Sequence, residues 1–264
     1  MRFGERTRVS SRVSTWMIPT INTVTVEYLV IGGGGGGMNG GGGAGEYRNS
    51  VVGETDGGGG AAENALRIAI GSVLTVTVGA GGANRTSPGT ASPGGDSVFG
   101  EITAAGGSGA VNMTGGASNG FSGRAGGSGH AGGGSGANGQ GPAGSSGVGG
   151  NGGAGLSSSI TGSAVSRGGG AGGGGSSTGG TGTAGGGNGD SNSTGATAGS
   201  ANTGGGGGGQ WFGTSKAGGS GVVIIRYPDT ADDITVGSGL TSTRTVSGGY
   251  KIYQFTAGTG SVTF

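Results

Sequence analysis

The chain has no cysteine, and histidine occurs once, at position 130. These absences exclude a disulfide framework, a thiolate metal site and a thiol nucleophile. Only 9% of the residues are charged and 5% aromatic, and proline occurs five times. So little proline rules out collagen despite 81 glycines in 264 residues, because a triple helix needs proline and an unbroken triplet period. A formal net charge of +1 offers no basic field for nucleic acid. No stretch is apolar over a bilayer's thickness, and the run after Arg2, Arg6, Arg8 and Arg12 is too short and polar for a signal peptide. Neither membrane insertion nor export through a standard leader is expected.

What the sequence does contain is strand signal near its two ends. TVTVEYLVI from Thr23 is β-branched and aromatic and stops at the six glycines Gly32 to Gly37, which predicts a strand. Leu66 to Ile70 and Val73 to Val78 read as two more, with Gly71 and Ser72 as a hairpin turn between them. Ser97 to Thr103 reads as a short strand after the Pro-Gly turns at Pro88 and Pro93. Val222 to Tyr227 predicts another, ended by Pro228. Beyond it, Asp233 to Val236, Thr243 to Val246, Tyr250 to Phe255 and Ser261 to Phe264 alternate with turns at Gly237, Gly248 and Gly258.

Between Ala104 and Gly219 large apolar residues are too sparse for a conventional core. Glycine recurs there every third residue, at positions 120, 123, 126, 129 and 132, and again at 141, 144, 147, 150 and 153. A three-residue period fits polyproline-II geometry, in which glycine lets neighbouring rods approach and exchange backbone hydrogen bonds. Ordering a residue costs about 1–2 kcal/mol, against a net return of about 1 kcal/mol per hydrogen bond. Only a laterally packed array in which nearly every interior amide is paired could therefore persist. The expected fold is mainly β and irregular, essentially without α-helix. It has a segment at 1–22 and a glycine-rich domain at 23–228, followed by a small β module at 229–264. Within the domain, a β framework at 23–103 and 221–228 flanks a bundle of glycine rods at 104–220. Gly123, Gly126, Gly129, Gly144, Gly147 and Gly150 are expected to face neighbouring rods.

Five motifs carry a family resemblance: EYLVIGGGGGG at Glu27–Gly37, GAGEYR at Gly43–Arg48, LTVTVGAGGAN at Leu74–Asn84, DSVFGEITAAGG at Asp96–Gly107 and GGSGVVIIRYP at Gly218–Pro228. Together they resemble the glycine-rich domain of bacteriophage tail-fibre and other virion proteins. The resemblance implies polyglycine-II helices stacked side by side, with intervening loops that touch the host receptor, as in fibre-tip adhesins. It also implies a virion location, on the tail or outer surface, in several copies such as a homotrimer.

Enzymatic signatures are weak. Gly32 to Gly37 follows a strand, but no helix-forming segment succeeds it, so a dinucleotide fold is not expected. The two lysines, Lys216 and Lys251, follow serine and tyrosine, which excludes a phosphate-binding loop. A lone His130 among few acids does not suggest a triad. No catalytic residue, cofactor or metal is expected. The residues that interrupt the glycine field are the better candidates: Phe121, Arg124, His130, Arg167, Asp190, Asn192, Trp211 and Phe212 offer aromatic faces and polar groups for a host glycan or outer-membrane protein. Arg6, Arg8, Arg12 and Trp16 are candidates for docking onto other virion proteins. The sequence thus leads to a noncovalent adhesin of the virion, with a structural virion component as the alternative.

Overall fold

The computed structural model of the chain describes residues 22–85, 89–119, 130–191 and 195–264. Its strands are β1 (Thr23–Ile31), β2 (Tyr47–Asn49), β3 (Leu66–Ala69), β4 (Val73–Thr77), β5 (Ser97–Phe99) and β6 (Ile102–Ala104). They continue with β7 (Leu156–Ser158), β8 (Val165–Arg167), β9 (Val222–Pro228), β10 (Thr235–Val236), β11 (Leu240–Ser247) and β12 (Tyr250–Thr263). No α-helix occurs among the described residues.

Successive residues of a strand point to opposite faces. Val24, Val26, Tyr28 and Val30 of β1 accordingly enter one buried cluster, and Leu29 and Ile31 enter another. β9 runs antiparallel to β1 with Glu27 opposite Arg226, and their side chains pair at 2.7 Å. β12 is central, bonded to β9 through Tyr250–Phe255 and to β4 through Thr259–Thr263. Among the described residues the main sheet follows the order β2-β1-β9-β12-β4-β5-β6, with β3 beside β1 and β10 and β11 beside β12. It curls into a nearly closed, barrel-like form. Tyr28 of β1 and Phe99 of β5 lie 6.5 Å apart between ring centroids although their strands do not pair, so the first cluster lies inside the curl. The second cluster lies on the other face, where Leu156 at the start of β7 and Ile160 pack against Leu29, Ile31 and Ile224.

Two expected turns are corrected. Gly71 does reverse the chain, at φ 90°, but β3 and β4 form no hairpin, since β3 pairs with β1 and β4 with β12. The end of the chain bonds this turn instead: Gly71 donates to the Phe264 carbonyl at 2.6 Å, and Phe264 donates to the Ser72 carbonyl at 3.1 Å. Gly258 is not a turn either. β12 runs on through it with φ 95°, and a register shift opposite Thr241 and Ser242 marks a bulge that absorbs the irregularity.

Beyond Ile31 the chain enters a layer held by main-chain bonds. The N–H groups of Gly32 and Gly35 donate to Glu46 and Gly43, those of Gly33 and Gly36 to Gly95 and Ser92, and those of Gly34 and Gly37 to Gly219 and Lys216. In return, Gly107 and Ala110 donate to Gly33 and Gly36, Gly82 and Arg85 to Gly34 and Gly37, and Gly207 to Gly35. Each neighbouring segment that bonds twice does so at every third residue. A Cβ built on any of Gly32 to Gly37 would stand closer than 3.0 Å to a neighbouring carbonyl oxygen, so backbone contact leaves room for glycine alone. The layer also takes in residues 79–85 and 91–95, ahead of the expected start at Ala104.

Candidate functional site

Two runs of six glycines lead away from the sheet side by side, Gly32 to Gly37 and Gly204 to Gly209. Gly207 donates to Gly35, and Cβ positions on Gly34 and Gly37 abut Gly205 and Gly208, which sets the runs in one register. Equal lengths in one register bring the residues that follow them to the same level. Gln210 donates its N–H to the Met38 carbonyl at 2.7 Å, and Asn39 Nδ2 donates to the Gln210 carbonyl at 2.9 Å. Six residues of chain separate Met38 from Ile31 at the end of β1, a reach of no more than about 25 Å.

This far end holds a cleft of about 270 Å³ lined by Met38, Asn39, Arg85, Gln210, Trp211 and Phe212. The Trp211 and Phe212 rings meet edge to face, 6.2 Å apart at 82°. Trp211 is half-buried, whereas Phe212 is 61% exposed, an unusual position for a phenylalanine in a chain with so few aromatics. Gln210 is 3% exposed. Its Nε2 donates to Asp190 Oδ2 at 3.2 Å, while its Oε1 is enclosed without a hydrogen-bond partner. Asp190 is itself tied in, donating its N–H to Gly209 and accepting from the Trp211 N–H at 3.2 Å and the Gly195 N–H at 2.7 Å. Ser215 anchors the loop after Phe212, its hydroxyl shared between the carbonyls of Gly37 (2.6 Å) and Arg85 (2.8 Å). The cleft is thus lined by two aromatic residues, two amide residues and an arginine.

Of the residues singled out from the sequence, Asp190, Trp211 and Phe212 come together here. His130 lies on an adjoining segment: it bridges to Gly175, and the neighbouring Gly174 abuts the Gln210 and Trp211 backbone. Its Nδ1 is enclosed without a partner. Arg167 is elsewhere. It ends β8 with 6% exposure, and its Nη1 has no hydrogen bond. Burial holds its guanidinium below the usual value, against a smaller opposing effect of Tyr47. The Tyr47 hydroxyl is likewise unpartnered, with the Ser158 hydroxyl near it but outside hydrogen-bonding geometry, and burial pushes its ionisation up. Carbonyl oxygens stand closer than 3.0 Å to a Cβ built on Gly144 or Gly150. Gly147 sits at φ 80° in the tight turn between Ser145 and Val148, and its carbonyl accepts from the Ser177 N–H at 2.9 Å. Phe121, Arg124, Asn192, Gly123, Gly126, Gly129, Arg6, Arg8, Arg12 and Trp16 lie outside the described residues.

Asn39, Arg85 and Gln210 escaped the sequence reading. The signal was present for two of them, because Asn39 and Gln210 follow glycine runs of equal length.

A second polar cluster braces loop 50–63 against β1 and β2. Tyr28 Oη donates to Glu63 at 2.5 Å, and Arg48 pairs with the same carboxylate. The Arg48 bond holds Glu63 below the usual carboxylate range. Burial raises Asp56 to about 6, although its carboxylate accepts the Asn49 N–H at 2.9 Å. Burial also pushes Glu54 up, but bonds from serine hydroxyls, the Ser159 N–H and Asn49 outweigh it and leave that carboxyl low. Among the described residues no group of three or more His, Cys, Asp or Glu is placed to hold a metal ion, and no helix is long and apolar enough to cross a membrane.

A sequence profile of a glycine-rich domain matches residues 8–228. No curated protein and no solved structure matches the chain.

Proposed function

The chain belongs to the glycine-rich domain family, and from that membership we propose that it is a bacteriophage virion protein, a tail fibre or fibre-tip adhesin that attaches to the host surface without turnover. The observation that carries the reading is the cleft at the far end of the glycine layer. There Phe212 is exposed beside Trp211, and exposed aromatics on a rigid support mark recognition surfaces. Sugar faces or apolar protein loops stack on such rings. The glycine layer is a bundle of polyglycine-II helices in this reading, supported by hydrogen-bond partners that return every third residue. The bundle holds the cleft away from the sheet, and in this reading the amino-terminal segment docks onto other virion proteins. The protein sits on the tail or outer surface in several copies, such as a homotrimer, and is not an enzyme.

Purified protein should bind host cells and compete with virion adsorption, and the Trp211→Ala, Phe212→Ser double variant should lose both effects. Virions that adsorb normally after the protein is removed would sink the adhesin reading. That outcome would favour a structural virion component, for which the densely bonded layer serves as a protease-resistant spacer.

A further inference from the structure

We infer that the cleft takes an acidic sugar, with the ring face on Trp211 and the carboxylate on Arg85. This assignment deepens the adhesin reading and rests on it. Two separate features of the cleft each ask for one part of such a ligand.

The first is the aromatic wall. Trp211 is half-buried and is met edge-on by Phe212, so its ring is held in place rather than free to swing. A rigid indole face suits the C–H face of a pyranose. The second is Arg85. It lines the cleft and forms no ion pair among the described residues, in contrast to Arg48, Arg226 and Arg244, which all have carboxylate partners. A guanidinium presents paired donors that match a carboxylate. A cleft of about 270 Å³ has room for a single sugar ring.

Taken together, the features select against two simpler ligands. A neutral sugar would leave Arg85 without a counter-charge, and a bare inorganic anion would make no use of the indole. Asp190 does not line the cleft, and its carboxylate is engaged by the Gly195 N–H and Gln210 Nε2.

The test is calorimetric titration of the full chain with glucuronate, galacturonate and N-acetylneuraminate, each against its methyl ester, which keeps the ring and removes the charge. At least one acid should bind about tenfold more tightly than its ester, the effect expected of one charge-assisted hydrogen-bonded pair. Arg85→Gln should abolish that difference while leaving ester binding in place, and Trp211→Ala should weaken acid and ester alike. Thermal melting of each variant separates lost binding from lost folding. Equal binding of acid and ester across all three pairs, or no binding of any of them, overturns the assignment. If the protein still competes with virion adsorption in that case, the adhesin reading stands without it; if competition also fails, both fall.

Discussion

The Gln210 N–H donates to the Met38 carbonyl at 2.7 Å, closing the far end of two glycine runs that start on opposite sides of the sequence. Everything between this bond and the sheet is held by main-chain groups, so the register of the runs decides whether the cleft exists. Gly35 is the sharpest probe. A Cβ there would meet the Ser108 carbonyl closer than 3.0 Å, whereas one on Gly60 would meet nothing within 4 Å. Gly35→Val should cost at least about 3 kcal/mol through overpacking and lost lateral bonds. Gly60→Val should shift stability by less than about 0.5 kcal/mol. Equal urea midpoints for the two variants would show that the layer is not closely packed.

Asp56 gives the protein a pH dependence of defined sign. Its carboxyl is raised from 3.8 to about 6 in the folded chain, so the folded state holds this proton more tightly than the unfolded one. The stabilisation is complete below the unfolded value and is lost as pH rises through about 6. Glu54 and Glu63, both lowered, act in the opposite direction and lose their contributions as pH falls below the usual carboxylate range. Asp56→Asn keeps an acceptor for the Asn49 N–H and should flatten the decline in melting temperature between about pH 4 and 6. An unchanged slope in that window would exclude Asp56 as its source.

Arg167 was a reasonable receptor contact on sequence grounds, being one of few charges in the glycine field. Its burial is set by Tyr47 and the second apolar cluster, which come from distant parts of the chain, and no local pattern announces that pairing. An enclosed guanidinium without a carboxylate is unfavourable. Arg167→Met should therefore leave the fold intact and raise stability by about 1–3 kcal/mol in urea melts, with host binding unchanged. A marked loss of binding at preserved stability would restore Arg167 to the recognition surface.

Legibility followed the range of the interactions. β1 could be read to the residue because a β-branched run stops at a glycine block, and β9 to within one residue, because the strand takes in the Pro228 expected to end it. The connection at Gly71 misled because a glycine turn is a local signal, while the choice of partner for β3 and β4 rests on β1 and β12 far along the chain. Gly258 misled for a related reason: the same positive φ that makes a turn also fits a bulge within a long strand. At the cleft, Trp211 and Phe212 stood out as aromatics among glycines, whereas Arg85 is brought there by its N–H on the Gly37 carbonyl and by the Ser215 hydroxyl on its own carbonyl, contacts between segments far apart in sequence.

Phe212 separates recognition from folding. Its side chain is 61% exposed and belongs to neither buried cluster. Removing it should alter stability by less than about 0.5 kcal/mol, as for most surface substitutions. Its contact with Trp211 is edge to face, so its loss frees the indole to move as well as deleting apolar surface at the cleft mouth. Phe212→Ser should thus weaken host-cell binding several-fold while its melting curve overlays that of the native chain. Phe255→Ala is the matching control, since Phe255 is fully buried inside the curled sheet and its truncation should cost about 3–5 kcal/mol. Native binding by the Phe212 variant would remove the aromatic pair from the recognition surface, whatever the glycine layer contributes.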